Sequence, residues 1–259
     1  MNIVHVITTI NRGGAENQLI QMLEEQKKKG LKINIFYLKG DSYWRDYLKN
    51  LGIKVNGPFF EDSNYLNIFK YKRFIREFVS ISDPIIHLHM PPSLFVTFIV
   101  SFFIKYKKII YTSHNDEPFI KNVIFEKLFA RLLLSRVGFI VCISSSVKDF
   151  LKKRYNISSH KLKVIKYGFN KTIYNNTLLK EIDKNIYRDS KIYIGTVARL
   201  EEQKRIDLLL KSFALVREEN INVELIIIGK GSKKNNLVKL AEDLKINSFI
   251  NWINYSDNI

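Results

Sequence analysis

Short runs of β-branched and aliphatic residues alternate along this chain with longer stretches of helical period, and no other feature narrows its fold so far. Strands separated by helices pair in parallel, because each helical crossover returns the chain to the same end of the sheet. The pattern predicts strands at 2–8, 32–38, 84–89, 108–113, 138–143 and 162–166, with helices at 15–29, 66–79, 93–104, 121–135 and 145–154. Ser146, three residues before Asp149, suggests a capping box for the last of these helices. After Tyr167-Gly168-Phe169-Asn170 the alternation lapses into Asn, Lys, Thr and Asp, which reads as a linker. A strand at 191–197 then opens a second unit, followed by a loop at 198–204, a helix at 206–218, a strand at 223–228, the turn Gly229-Lys230-Gly231-Ser232, a helix at 233–244 and a strand at 249–253. The expected organisation is a first domain over 1–173, a linker over 174–190 and a second domain over 191–259. The last spans 69 residues, fewer than the ~100–200 of an ordinary domain, so it is expected to be incomplete.

Charge is placed unevenly on this frame. The net charge is +17, and residues 1–173 carry 28 basic and 13 acidic side chains against 14 and 12 over 174–259. An excess of +15 on the first unit points to an anionic partner: nucleic acid, an anionic membrane surface or a phosphorylated substrate. No nucleic-acid-binding motif accompanies the charge, so nucleic acid is the least favoured. The longest apolar stretch, Leu94 to Ile104, is too short for the ~20 residues of a spanning helix and reads as a buried one. The helix at 121–135 puts Ile124, Leu128, Leu132 and Leu133 on one side and Lys121, Lys127 and Arg131 elsewhere, with Arg136 just beyond; such a surface suits anionic lipid. The opening Met1 to Ile7 has no basic leader and reads as a strand. Cys142, the one cysteine, lies in an apolar run, which excludes a disulfide within the chain and suggests a buried, inert thiol.

Few residues are placed to carry chemistry. Gly13 and Gly14 stand where the first strand turns into a helix, so backbone amides there could approach an anion, although a plain tight turn needs the same residues. Three spaced glycines of a dinucleotide fingerprint are absent, which weighs against a nicotinamide enzyme. Past strand 191–197, Arg199 and Lys204 precede a helix, where a guanidinium and an ammonium suit a diphosphate. Glu201 and Glu202 could instead neutralise them. Gly229 and Gly231 end the next strand, one crossover away on the same sheet edge. His114 follows strand 108–113 and could hydrogen-bond a sugar hydroxyl or a phosphate. His87 and His89 share a strand face with no Cys or acidic ligand nearby to complete a metal site. Ser144-Ser145-Ser146 lacks the glycines of a nucleophile elbow.

Taken in order, Arg12-Gly13-Gly14-Ala15-Glu16, Thr112-Ser113-His114-Asn115, Ile143-Ser144-Ser145-Ser146-Val147, Val164-Ile165-Lys166-Tyr167-Gly168, Gly195-Thr196-Val197-Ala198-Arg199-Leu200 with Gln203-Lys204, and Leu225 to Gly231 resemble glycosyltransferase family 4. The resemblance spans the whole chain. It implies two Rossmann-like α/β domains facing across a cleft (the GT-B type) and transfer of a sugar from a nucleotide diphosphate donor with retention of configuration, without a metal or other cofactor. It further implies that Arg199 and Lys204 grip the donor diphosphate, that Gly13 and Gly14 approach donor and acceptor from the opposite lobe, and that His114 lines the reacting sugar. Two departures stand out. Arg205 occupies a position usually held by glycine in that family, and the family's paired glutamates would lie beyond Ile259. Trp252-Ile253-Asn254-Tyr255 resembles the segment that precedes them.

The expectation is a retaining glycosyltransferase with a lipid-linked or saccharide acceptor, building a surface polysaccharide at the inner face of the cytoplasmic membrane. The alternatives are a non-catalytic membrane-bound or partner-binding remnant, and a nucleotide-sugar epimerase on the same fold. The chain as given is expected to bind nucleotide weakly and not to turn a donor over, because nothing in it would hold the donor sugar.

Overall fold

In a computed structural model the chain divides into two compact units, Met1–Asn170 and Lys171–Ile259. The structure describes residues 1–61, 65, 67–104, 108–116, 118–119, 125–168, 191–219 and 222–254. The linker expected at 174–190 lies outside them.

The first unit runs β1(Asn2–Ile7), α1(Gly14–Lys28), β2(Lys32–Tyr37), α2(Arg45–Asn50), β3(Lys54–Asn56), a short 3-10 turn into α3(Tyr71–Val79), β4(Ile85–His89), α4(Pro91–Val100), β5(Lys108–Ser113), α5(Glu126–Ser135), β6(Phe139–Cys142), α6(Ser145–Tyr155) and β7(Leu162–Val164). All seven strands pair in parallel, in the order β3-β2-β1-β4-β5-β6-β7. The order reverses at β1, which pairs with β2 on one side and β4 on the other. The crevice at such a reversal, outside the carboxyl ends of the strands, is where sheets of this type bind ligands.

Side chains alternate across the sheet and fill two cores. One face of β1 and β2 (Ile7, Ile33, Ile35, Tyr37) packs on Leu19, Ile20 and Leu23 of α1 and Leu48 of α2. The other, larger core joins Val4, Val6, Phe36, Ile86, Leu88 and Tyr111 to α3 through α6. Cys142 is buried there as a free thiol, and burial pushes its pKa up to about 11, as an inert cysteine requires.

Three local expectations need correction. Ser144, not Ser146, caps α6: its hydroxyl accepts from Val147 N at 3.2 Å, while the Ser146 hydroxyl donates to Asp116 at 2.6 Å. In α5 Leu133 is buried with Glu126, Ala130 and Leu134 and so does not share a side with Leu128 and Leu132, which are exposed. Lys121 and Ile124 of the expected helix lie outside the described residues. The segment read as one buried helix to Ile104 ends as α4 at Val100, and Phe102 and Phe103 beyond it are exposed.

The second unit comprises β8(Ile192–Val197), a 3-10 turn Glu202–Lys204, α7(Ile206–Glu218), β9(Val223–Ile228), α8(Lys234–Asp243) and β10(Ile250–Ile253). Its sheet has three parallel strands in the order β10-β9-β8. A single core joins Leu200, Leu210 and Phe213 to Val223, Leu225, Ile227, Leu237 and Ala241. Ile192, Ile194 and Val197 on the edge strand β8 remain exposed.

Candidate functional site

In the first unit, the loops after β1, β4 and β5 all leave from the carboxyl edge of the sheet. After β1, Gly13 is extended (φ −162°) and precedes α1 without a side-chain cap. Glu16 folds back over the turn: Thr9 donates to its Oε1 at 2.6 Å, and a Cβ on Gly13 would sit 3.0 Å from its Cδ. Gly14 is different, since a Cβ there would meet nothing within 4 Å. The carboxylate of Glu16 stands at the helix N-terminus, where the dipole favours an anion. Arg12 donates to the Tyr43 hydroxyl and lies 4.0 Å over its ring.

After β4, Met90 is held at φ 72°, a conformation rarely adopted by a side chain of this kind, and Ser93 donates to its carbonyl at 2.8 Å. Strain of this sort collects at functional sites, and it falls on the strand next to the order reversal. No sequence signal marked Met90. After β5, His114 is half-buried, and its Nδ1 meets the hydroxyl of Tyr167. Burial, with the nearby charge of Glu16, pushes the Tyr167 pKa up to about 12. Glu16, Tyr167 and His114 are therefore near neighbours, which ties the glycine turn to the histidine.

Behind His114 lies a cluster that the sequence showed only in part. His87 and His89 are joined by His5, which faces His87 across the β1–β4 pairing. One nitrogen from each of these three rings lies within 4.8 Å of the other two. Each ring is engaged within the protein: His5 Nε2 meets Gln26 Oε1 at 2.9 Å, His5 Nδ1 meets His89 Nε2 at 3.1 Å, His89 Nδ1 meets His114 Nε2 at 3.3 Å, and His87 Nε2 meets the Thr112 hydroxyl at 2.7 Å. Among the described residues no carboxylate or thiolate joins the group, so nothing would offset a cation buried there. Burial lowers the pKa of His5 and of His114 to about 4, and lowers His87 and His89 well below the usual range. All four rings are neutral near pH 7.

In the second unit, Arg199 and Lys204 are both exposed between β8 and α7. Both acids are held mainly elsewhere, although Glu201 also feels the charge of Arg199. Glu201 accepts from the Ser232 amide at 2.9 Å and hydroxyl at 2.8 Å, which holds its carboxyl below the usual range, and Glu202 lies 3.8 Å from Lys233. Among the described residues neither Arg199 nor Lys204 makes a close salt bridge, and Arg199 interacts with Glu201 only through its charge.

Gly229 and Gly231 serve first to let two backbones touch. A Cβ on Gly229 (φ 157°) would overlap the Ala198 carbonyl, and one on Gly231 would lie 2.7 Å from Leu200 N and closer still to its carbonyl. Ala198 N donates to Ile228 O at 3.0 Å, and Leu200 N to Lys230 O at 2.9 Å. The glycine turn is thus laced to the segment that carries Arg199. Arg205 takes the left-handed conformation (φ 50°, ψ 39°) and pairs with Asp207 at 3.1 Å. Glycine adopts that backbone most readily, which explains why a glycine would be usual there.

Two α/β units built on parallel sheets, each with polar loops at the carboxyl ends of its strands, define the class of the protein. The chain belongs to glycosyltransferase family 4: the family model described as Glycosyltransferase Family 4 matches residues 12–172, and that for glycosyl transferases group 1 matches 179–259. Two curated relatives, the uncharacterized glycosyltransferases MJ1059 and MJ1069 of Methanocaldococcus jannaschii, are each 26% identical over 159 and 150 residues, or 59% and 53% of this chain. The matched parts are 39% and 37% of those relatives' lengths. Among solved structures, Anabaena Alr3699/HepE in complex with UDP and glucose has a TM-score of 0.78 at 17% identity, covering 99% of this chain and 70% of that one. A glycosyltransferase from Rickettsia africae has a TM-score of 0.75 at 19% identity, covering 100% and 69%. At these identities the likeness is one of fold.

Proposed function

We propose that the protein is a retaining glycosyltransferase that moves a hexose or related sugar from a nucleotide diphosphate sugar to a lipid-linked or saccharide acceptor in surface polysaccharide synthesis. The observation that carries this reading is the pair Arg199 and Lys204, exposed and fixed beside a glycine turn at the carboxyl end of β8. Two cations there would offset the charge that develops on a leaving diphosphate, a task a metal performs elsewhere, so no metal is invoked. His114, neutral and at the edge of the other sheet, is assigned to the sugar. That Alr3699/HepE is seen with UDP and glucose agrees with such a donor.

The acceptor side of the proposal is peripheral attachment to the inner face of an anionic membrane. Phe102, Phe103, Phe125, Leu128 and Leu132 are all at least half exposed, and Arg136 lies about 6 Å over the Phe98 and Phe102 rings. Exposed rings with a basic rim suit insertion at a lipid interface. Among the described residues no helix is long and apolar enough to cross a membrane.

The test is calorimetry with nucleoside diphosphates on the chain and on Arg199→Ala and Lys204→Ala, followed by donor turnover with and without acceptor. Each substitution should weaken diphosphate binding by about 1.5–3 kcal/mol, the range for charged hydrogen bonds. Equal affinity in both variants would remove the assignment. Turnover without acceptor would favour an epimerase, and binding without any turnover a non-catalytic role.

A further inference from the structure

Five polar groups form one unbroken line from helix α1 to the carboxyl edge of the first sheet: Gln26, His5, His89, His114 and Tyr167. Each of the three histidines in it uses both ring nitrogens. A neutral imidazole has one N–H donor and one acceptor nitrogen, so fixing the partner on one side fixes the role of the other. The line therefore has two internally consistent states. With the Gln26 oxygen facing His5, as found, His5 Nε2–H donates to it and His5 Nδ1 accepts. His89 Nε2–H then donates to His5, His114 Nε2–H donates to His89 Nδ1, and His114 Nδ1 is left as an acceptor for the Tyr167 hydroxyl. With a donor in place of that oxygen, every bond reverses and His114 Nδ1 carries the proton.

We propose that Gln26 is a positioning residue for His114, setting which nitrogen of that ring is protonated through His5 and His89. The proposal rests on the reading that His114 meets the donor or acceptor sugar. In the state found, Tyr167 spends its hydroxyl proton on His114 Nδ1 and offers only oxygen lone pairs to a ligand, which accept from a sugar hydroxyl and repel a phosphate oxygen. In the reversed state Tyr167 accepts from His114 Nδ1–H, its own O–H is free to donate, and the preference inverts. Gln26 thereby biases the site toward hydroxyl groups from α1, three hydrogen bonds away from His114.

Burial supports a concerted arrangement. His5 and His89 are almost wholly removed from solvent, so water cannot satisfy a broken link, and an unpaired buried nitrogen is costly. Charge does not interrupt the line, since desolvation keeps the rings neutral. His87 packs against His5 and His89 with ring centroids 5.1 and 4.2 Å away, but its Nε2 turns to Thr112, so it braces the line without joining it.

The experiment is long-range 1H–15N correlation spectroscopy of the imidazole rings in the whole 15N-labelled chain at neutral pH, where each of the five histidines reports its protonated nitrogen. In the unaltered protein, His5, His89 and His114 should each show a single Nε2–H tautomer. Couplings across the hydrogen bonds should join His89 Nε2 to His5 Nδ1 and His114 Nε2 to His89 Nδ1. Gln26→Glu, an acceptor, should keep this pattern, and Gln26→Lys, a donor, should reverse all three rings to Nδ1–H. His160, bonded to Ser158, is the internal control and should not change. Reversal at His5 with His114 unchanged would overturn the proposal, as would missing couplings or mixed tautomers in the unaltered protein. That last measurement needs no variant, so a Gln26→Lys chain that fails to fold does not rescue the idea. His114→Asn separates the two readings: unchanged donor and acceptor binding in it would end the sugar assignment while leaving the tautomer coupling intact.

Discussion

Replacing Gly231 by Ala adds one carbon at the place where two backbones of the second unit touch. The new Cβ would lie 2.7 Å from Leu200 N and 2.4 Å or less from its carbonyl group, whereas non-bonded heavy atoms rest near 3.5 Å or more, so one backbone must retreat by on the order of 1 Å. Neither partner is a flexible side chain that could swing aside. Retreat would stretch the bonds Leu200 N to Lys230 O (2.9 Å) and Lys233 N to Leu200 O (3.0 Å). Each is worth about 0.5–1.5 kcal/mol net, and overpacking adds about 1–3 kcal/mol. The expected loss for the second unit is therefore about 2–6 kcal/mol. Urea unfolding followed by hydrogen exchange, read separately over 191–219 and 222–254, measures it. Nucleoside diphosphate affinity should fall as well, because Arg199 adjoins Leu200, the residue that must move. Gly14→Ala is the control: it opens α1, meets nothing within 4 Å, and should leave stability unchanged or raise it by up to about 1 kcal/mol. A Gly231→Ala chain that unfolds within about 0.5 kcal/mol of the parent would refute the steric argument.

Glu126 is buried and accepts from the Phe119 amide at 3.0 Å, from Arg154 at 2.8 Å and from the Tyr155 hydroxyl; Glu126→Ala leaves the buried Tyr155 hydroxyl without its acceptor and should cost about 1–3 kcal/mol in urea unfolding, and an effect below about 0.5 kcal/mol, as at an exposed site, would contradict this. His5 has a pKa of about 4 when folded against 6.5 when free, so the unfolded chain binds a proton first. Its stabilising contribution of about 3 kcal/mol is full above pH 6.5 and drains away as pH falls toward 4, with His87 and His89 acting in the same direction. A flat unfolding midpoint between pH 7 and 4.5 would show that these rings are not buried neutral. Arg205→Gly should raise the thermal midpoint of the second unit by removing a left-handed side-chain residue, and a fall would mean that the Asp207 pairing outweighs the backbone strain. Phe102→Ser together with Phe103→Ser should weaken flotation with anionic vesicles, and unchanged flotation would separate attachment from these rings.

Elements with a long, strongly periodic pattern were legible in the sequence, and the parallel pairing followed from their alternation. The strands at 32–38 and 223–228 and the helix at 206–218 recur within a residue of their expected ends. What escaped were pieces too short to show a period: α2 has six residues and β3 three, with Lys54 and Asn56 in the latter. Both exist because β2 needs a neighbour on its outer edge and Leu48 fills a place beneath it, which is tertiary information. His5 was missed as a partner of His87 for the same reason. Their adjacency is a matter of register between β1 and β4, fixed by pairing across more than eighty residues of chain. Glu126 carried no local signal in the sequence, because its partners Phe119, Arg154 and Tyr155 come from other parts of the chain.

The glycines were legible for a partly different purpose from the one the backbone reveals. Gly229 and Gly231 look like an anion loop because close backbone approach is what an anion loop requires, yet here the approaching backbone is residues 198–200 of the same chain. The two purposes are compatible. Arg199 lies between two residues whose amides are tied to the glycine side, and Leu200 is fully buried, so its backbone is fixed before any ligand arrives. Lys204 ends a turn whose own amides are bonded, at 2.9 Å for Lys204 N to Glu201 O and 3.1 Å for Arg205 N to Glu202 O. A ligand held by these cations would order two side chains and no loop. Binding loses about 0.5–1.5 kcal/mol for each rotamer-rich side chain it immobilises, and ordering a free loop would add about 1–2 kcal/mol per residue. Over the seven positions from 199 to 205 the second cost exceeds the first several-fold, so the glycine lacing contributes to affinity without touching the ligand.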